Sequence, residues 1–232
     1  MKILYLAHRI PYPPNKGEKI RAFHQVKFLA GQHTLDLICL IDDPRDLSHV
    51  APLEILCNRV YAHRIKPLPA KVKGLFAQIA GSTVSAGYYH RAAVQKVFDR
   101  WLEETDYDAI VCFSSTMAEY VFRSPLLNRE SRPRLIMDFC DVDSDKWRQY
   151  AKTTRFPGKL VFQREHCRMQ QFEQRVHRTF DFSVLVSRQE AQLFSELVGT
   201  VDKVTVVPNG IDAHFFDMHN TFDTSLCGQT HN

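Results

Sequence analysis

Ile3-Leu4-Tyr5-Leu6-Ala7, the loop His8-Arg9-Ile10-Pro11-Tyr12-Pro13-Pro14-Asn15-Lys16-Gly17 after it, and the helical pattern Ala22, Val26, Leu29 beyond decide the architecture. The first run is continuously apolar rather than alternating, which is how a strand covered on both faces reads. Similar runs recur at Leu35 to Ile41, Val60 to Ile65, Ala109 to Phe113, Leu135 to Phe139, Phe182 to Val186 and Val204 to Val207. Between them lie helical faces: Val72, Leu75, Phe76 and Ile79; Val94, Val97, Phe98, Trp101 and Leu102; Val161, Met169, Phe172 and Val176; and Ala191, Phe194 and Leu197. Alternation of strand and helix predicts an α/β fold, a doubly wound, mostly parallel sheet of about seven strands. Phe156-Pro157-Gly158 should break the helix that starts near Ser144, with a second helix beginning near Lys159.

A chain of 232 residues, 44% of them hydrophobic, can bury a full core and suits one α/β domain followed by a tail. Met218 to Asn232 carries no apolar period and is expected to be unstructured. The opening apolar run meets His8, Arg9 and Pro11, too early for a signal-peptide core or a membrane span, so a cytoplasmic protein is expected. The six cysteines include no Cys-x-x-Cys pair and read as free, largely buried thiols. A net charge of +4 favours anionic partners. Lys159, Arg164, Arg168, Arg175 and Arg178 crowd one helical stretch that carries only Glu165 and Glu173 in return, which reads as a solvated face or a membrane-docking one.

Ligands of open parallel sheets bind beyond the carboxyl ends of the strands. After the first strand, Gly17 permits close backbone approach at a helix N-terminus suited to phosphate, and Lys16, Lys19 and Arg21 would reinforce it. The loop lacks Gly-x-Gly-x-x-Gly, and no Gly-Lys-Ser/Thr loop occurs, which argues against nicotinamide, flavin and P-loop sites. After the fifth strand, Asp138, Asp141 and Asp143 precede Ser144, a residue able to cap the next helix. These carboxylates serve either acid, base or charge-stabilising chemistry, the role suited to Asp141, or the helix start, the role suited to Asp143. Asp141-Val142-Asp143 also imitates an Asp-x-Asp metal motif, a pattern of low specificity. Strand six ends in Ser187 and strand seven in Val206-Val207-Pro208-Asn209-Gly210-Ile211-Asp212, where Asn-Gly after proline makes a tight turn.

Together the Pro-Pro-x-x-Gly loop, the Asp141 segment, the Val-Ser ending at Ser187 and Val206-Val207-Pro208-Asn209-Gly210-Ile211-Asp212 resemble the N-terminal, Rossmann-like domain of family 4 GT-B glycosyltransferases, over residues 1–217. Arg9 to Gly17 and Asp143 to Tyr150 look like the sugar transferases associated with the exosortase, or PEP-CTERM, system of bacteria. The resemblance implies a retaining transferase that uses a nucleotide-sugar donor and a glycan or lipid-linked acceptor in exopolysaccharide assembly. It implies no metal, no covalent cofactor and no nucleic-acid partner; the basic helical stretch from Lys159 to Arg178 adds an expected peripheral contact with the inner membrane. It places Asp141 on the acceptor side as the candidate catalytic residue, with Lys16, Gly17, Lys19, Arg21, Asp138, Ser187, Asn209 and Gly210 as the substrate-binding set. Cys140 stands where many members carry histidine, so no catalytic histidine is expected there. Glu165 and Glu173 imitate the family's paired glutamates but fall in the wrong half, and read as surface or structural residues. The donor-binding C-terminal domain is expected to be absent from this chain, which leaves a half inactive alone, one subunit of a split enzyme, or a non-catalytic module binding a phosphorylated ligand or a partner protein. A metal-dependent transferase built on Asp141 and Asp143 is the remaining alternative.

Overall fold

The computed structural model describes residues 1–66, 83–127 and 132–210. The helical pattern at Val72 to Ile79 and the tail from Met218 lie outside the described residues. Seven parallel strands form one sheet: β1 (Lys2–Ala7), β2 (Thr34–Ile41), β3 (Arg59–Arg64), β4 (Ala109–Phe113), β5 (Arg134–Cys140), β6 (Phe182–Leu185) and β7 (Val204–Val206). Their spatial order is β3-β2-β1-β4-β5-β6-β7, so the chain reverses its direction of travel across the sheet between β1 and β4. A crevice opens at such a switch point because the loops leaving the two strands run to opposite faces.

Alternate residues of each strand serve two cores. Tyr5, Ala7, Leu37, Cys39, Val111 and Phe113 pack under α1 (Gly17–Ala30) and α2 (Ala51–Leu56) through Ala22, Val26 and Leu53. Leu4, Leu6, Ile38, Leu40, Ile110, Cys112, Met137, Phe139 and Leu185 pack on the other face. That face is covered by α3 (Val84–Tyr89), α4 (Ala92–Glu104), α5 (Ala118–Arg123), α7 (Gly158–Thr179) and α8 (Arg188–Val198). α6 (Asp143–Thr153) leaves the end of β5 and pairs with α7. Burial on both sides explains the continuous apolar runs, and each expected strand is present. Gly199 closes α8 in the left-handed region, at φ 78, where a side chain would be strained.

The break at Phe156-Pro157-Gly158 falls where the sequence puts it, and a Cβ on Gly158 would strike Thr154 Cγ2 at 2.9 Å. The start of α6 differs from expectation. Ser144 lies inside the first turn and makes no cap; its N–H donates to Glu173 Oε1 at 3.1 Å. Glu165, two turns nearer the start of α7, accepts from the N–H groups of Val84 and Ser85 at 2.8 and 3.2 Å. Both glutamates are fully buried, so they are structural and not surface residues: Glu173 supplies the oxygen that the start of α6 lacks, and Glu165 takes the first N–H groups of α3 beside the Thr83 cap on Ala86.

Burial, with Asp143 nearby, pushes the Glu173 carboxyl up to about 8, although its bonds at Ser144 pull the other way. The folded state thus holds a proton that the unfolded chain releases near 4.5, and stability falls as pH rises from there through about 8. Glu173→Gln keeps an oxygen for Ser144 and removes the titration. Its melting temperature should exceed that of the wild type at pH 8 and lose this advantage near pH 5, as thermal unfolding followed by circular dichroism across that range will show.

Candidate functional site

At the switch point β1 is followed by His8, whose buried ring stacks on Phe113 (centroids 5.9 Å apart) and meets the edge of Tyr89 at 5.4 Å. Its Nε2 is 3.7 Å from Glu18 Oε2, while Nδ1 is buried without a hydrogen-bond partner. Arg9 pairs with Glu18 and, at 3.0 Å, with Asp42. The nearby His8 ring, and then Arg9, hold the Glu18 carboxyl down to about 2, so it stays ionised. Burial pushes the Tyr89 hydroxyl up to about 12, so it remains a neutral donor. Lys16 and Gly17 are exposed at the start of α1, whose first turn receives no side-chain cap. A Cβ at Gly17 would meet nothing within 4 Å, so its backbone faces open space. Lys19 behaves differently from its neighbours. It is buried, and its ammonium lies 2.7 Å from Asp46, so its charge is already matched.

Arg21 and Asp138 come together under the cleft. Arg21 donates from Nε and Nη2 to Asp138 Oδ2 at 3.0 and 2.8 Å, and from Nη1 to the Val207 carbonyl and to Asn209 Oδ1 at 2.8 and 3.0 Å. Gln25 donates to Asp138 Oδ2 at 2.6 Å and accepts from the Tyr5 hydroxyl at 2.7 Å. The remaining carboxylate oxygen of Asp138 accepts the Cys140 N–H at 3.0 Å. Three of the expected binding residues, Arg21, Asp138 and Asn209, therefore form one network tying α1 to β5 and to the segment after β7. Beside it, Gly17, Ile20, Arg21, Phe28, Asn209 and Gly210 line a groove of about 1110 Å³. Phe28 is 64% exposed there, and Ile20 and Val207 are also exposed.

Two non-glycine residues at adjacent strand ends lie in the left-handed region, Ser114 at φ 80 and Cys140 at φ 63. Such strain costs roughly 1–3 kcal/mol per residue and gathers where function needs an unusual chain direction. Ser114 N–H donates to the Asp138 carbonyl at 2.8 Å, and β5 shifts register against β6 between Asp138 and Cys140. The turn at Cys140 carries Asp141 out of the sheet, where it pairs with Lys146 at 2.9 Å. Lys146 also lies 3.5 Å from Asp143, which accepts the Ser115 hydroxyl at 2.6 Å. An ammonium thus sits between the two aspartates of the Asp-x-Asp pattern; among the described residues no group of three or more His, Cys, Asp or Glu is placed to hold a metal. Burial pushes the Cys140 thiol far up, which makes it a poor nucleophile. Ser187 Oγ accepts the Glu190 N–H at 3.1 Å as the N-cap of α8, and the Glu190 carboxylate accepts the Val142 N–H at 2.8 Å.

Asp141 and Ser187 thus stand apart from the Arg21 network, and Lys19 points away to Asp46. His8, Tyr89, Ser114 and Lys146 were not singled out from the sequence. The switch-point rule applied to the residue after β1 would have found His8; the positive φ of Ser114 leaves no mark in the sequence.

A seven-stranded parallel sheet in this order, wrapped by helices on both faces and open at its carboxyl edge, is the GT-B glycosyltransferase type of α/β fold. The chain belongs to the glycosyl transferase 4-like family, whose domain model matches residues 18–210. Among solved structures, it superposes on a sucrose-phosphate synthase from Thermosynechococcus elongatus with a TM-score of 0.51 and 10% identity, covering 93% of each chain. It also matches a structure of the Candida albicans trehalose-6-phosphate phosphatase N-terminal domain with a TM-score of 0.49 and 12% identity, covering 97% of this chain and 52% of that one. Comparison with curated proteins gives no match.

Breaking a buried ion pair leaves an uncompensated charge and costs about 3–5 kcal/mol. The Arg21 and Asp138 side chains are 5% and 3% exposed, so Arg21→Met should lower stability by about that much. Arg21→Met with Asp138→Leu should cost clearly less than the sum of the single changes, as a urea-denaturation double-mutant cycle will read.

Proposed function

We propose that this chain is the acceptor-side domain of a retaining sugar transferase that takes a nucleotide sugar and a glycan or lipid-linked acceptor in bacterial exopolysaccharide assembly, in peripheral contact with the inner membrane. The observation that carries the reading, beyond family membership, is the uncapped start of α1 with exposed Lys16 and Gly17 at the same sheet edge as the Asp141–Lys146 pair. The helix start offers unpaired N–H groups and positive dipole to a phosphate. Asp141, half-exposed, offers a carboxylate to an acceptor hydroxyl or to a developing oxocarbenium charge. Lys146 holds that carboxylate in place with a fixed cation, an arrangement that supports chemistry without a metal. Through their bonds to Arg21, Asp138 and Asn209 fix the cleft wall.

Transfer needs the donor diphosphate held opposite the acceptor. We assign that role to a donor-binding domain, and the groove with exposed Ile20, Phe28 and Val207 supports docking of such a partner next to the cleft. The same groove supports the second reading, a non-catalytic module that binds a partner protein.

Calorimetric titration of the chain with polyprenyl-phosphate analogues, and with a panel of nucleotide sugars, tests the assignment. Gly17→Val should weaken acceptor-phosphate binding about tenfold while leaving the melting temperature unchanged, because the added side chain enters open space. Unchanged affinity would remove the α1 site. With a donor-binding domain supplied, Asp141→Asn should cut radiolabelled sugar transfer by about 10²–10⁴-fold; transfer at the wild-type rate would return Asp141 to a purely structural role.

A further inference from the structure

We infer that the tip of the α6–α7 hairpin is a docking surface for an anionic lipid bilayer, formed by Lys152, Arg155, Phe156, Lys159 and Leu160. This deepens the membrane contact proposed above; it rests on that contact and not on the sugar-transfer chemistry. α6 leaves the carboxyl end of β5, and its first turn is bonded to Glu173 of α7. The part of α7 from Gly158 to Glu173, about 22 Å at ~1.5 Å per residue, therefore stands beyond the level at which α6 leaves the sheet. The hairpin tip projects on the side of the cleft.

The two helices are held together by their own rings. Trp147 lies 5.5 Å from Phe162 and 5.9 Å from Tyr150, and Tyr150 lies 6.2 Å from Phe162. Beyond this brace the apolar side chains no longer pack inward, with Phe156 79% exposed and Leu160 54% exposed. An exposed phenylalanine and leucine four residues apart gain free energy only when something apolar covers them.

Charge decides what covers them. From Lys152 to Arg164 the sequence carries Lys152, Arg155, Lys159 and Arg164 and no carboxylate. All four cations are exposed. The nearest acidic residues are occupied elsewhere: Glu165 is buried on the start of α3, and Asp145 is engaged by Arg148 and Gln149. The basic stretch read from the sequence thus divides in two. Arg175 lies 3.8 Å over the Phe122 ring and Arg178 bonds the Gln174 carbonyl, so the far end of α7 is occupied with packing, whereas the near end sets Arg155, Lys159 and Arg164 around an apolar knuckle, with Lys152 beside them also acting on Asp145. Apolar residues that enter the acyl boundary, ringed by lysine and arginine at headgroup level, match an anionic bilayer.

Vesicle flotation of the full chain tests this without substrate. The chain should float with vesicles of phosphatidylcholine mixed with phosphatidylglycerol, remain unbound to phosphatidylcholine alone, and be released by high salt. Lys152→Gln/Arg155→Gln/Lys159→Gln should weaken binding at least tenfold, since each cation near such a surface contributes roughly fivefold. Phe156→Ser/Leu160→Ser should also lose binding, and both variants should melt like the wild type because the altered side chains are exposed. Equal binding of wild type and both variants, binding that ignores lipid charge, or no binding at all would overturn the assignment. So would self-association that these substitutions abolish while vesicles stay bare, which would make the tip a contact between copies. A chain that floats as expected but binds no acceptor phosphate would leave this surface standing and remove the transfer reading.

Discussion

One guanidinium holds the functional edge together. Arg21 directs its donors to Asp138, the Val207 carbonyl and Asn209, which lie on β5 and in the segment that follows β7. A buried arginine tolerates this position only because a carboxylate neutralises it and further acceptors satisfy the rest of the fork. The converse holds as well: Asp138 would be intolerable in the core without Arg21, Gln25 and the Cys140 N–H. Because the partners come from elements far apart in sequence, the network forms only when the sheet is complete through β7. It then fixes α1, and with it the Gly17 end, relative to the strand ends where Asp141 emerges.

The layered fold was legible because burial on both faces writes itself into composition. Ile3 to Ala7 and Ala109 to Phe113 admit no charged residue, and helical periods separate such runs, so the strands could be read without any tertiary information. The left-handed Ser114 and Cys140 and the register shift in β5 were not legible. Each depends on what the neighbouring strand does and leaves no local pattern.

Candidate residues were legible by position and less so by partner. Lys16, Lys19 and Arg21 read alike as basic residues near a helix start, yet one side chain is exposed, one is paired with Asp46 and one is sunk against Asp138. Helical geometry accounts for the split: successive positions are turned about 100° apart, so a short basic cluster spreads around α1 and only one side of it reaches the cleft. Ser144 shows the same limit. Its type suits a cap, but Glu173, twenty-nine residues away in sequence, supplies the oxygen instead.

That substitution of a distant cap for a local one has a structural consequence. A serine cap would satisfy α6 within its own first turn, leaving the helix free to swing on the segment after β5. Glu173 of α7, bonded to the start of α6, ties the two helices of the hairpin to each other, and Glu165 of α7, bonded to the start of α3, ties the hairpin to the rest of the fold, so moving it would expose unpaired N–H groups to a dry interior. The raised Glu173 carboxyl follows from such an arrangement, since its second oxygen is buried and finds no partner. In return the projecting tip, the strained strand ends and the start of α1 keep a fixed relation to one another. A fixed relation is what the proposed acceptor-side role requires, if a surface ligand is to be presented to the cleft without ordering the protein afresh at each encounter.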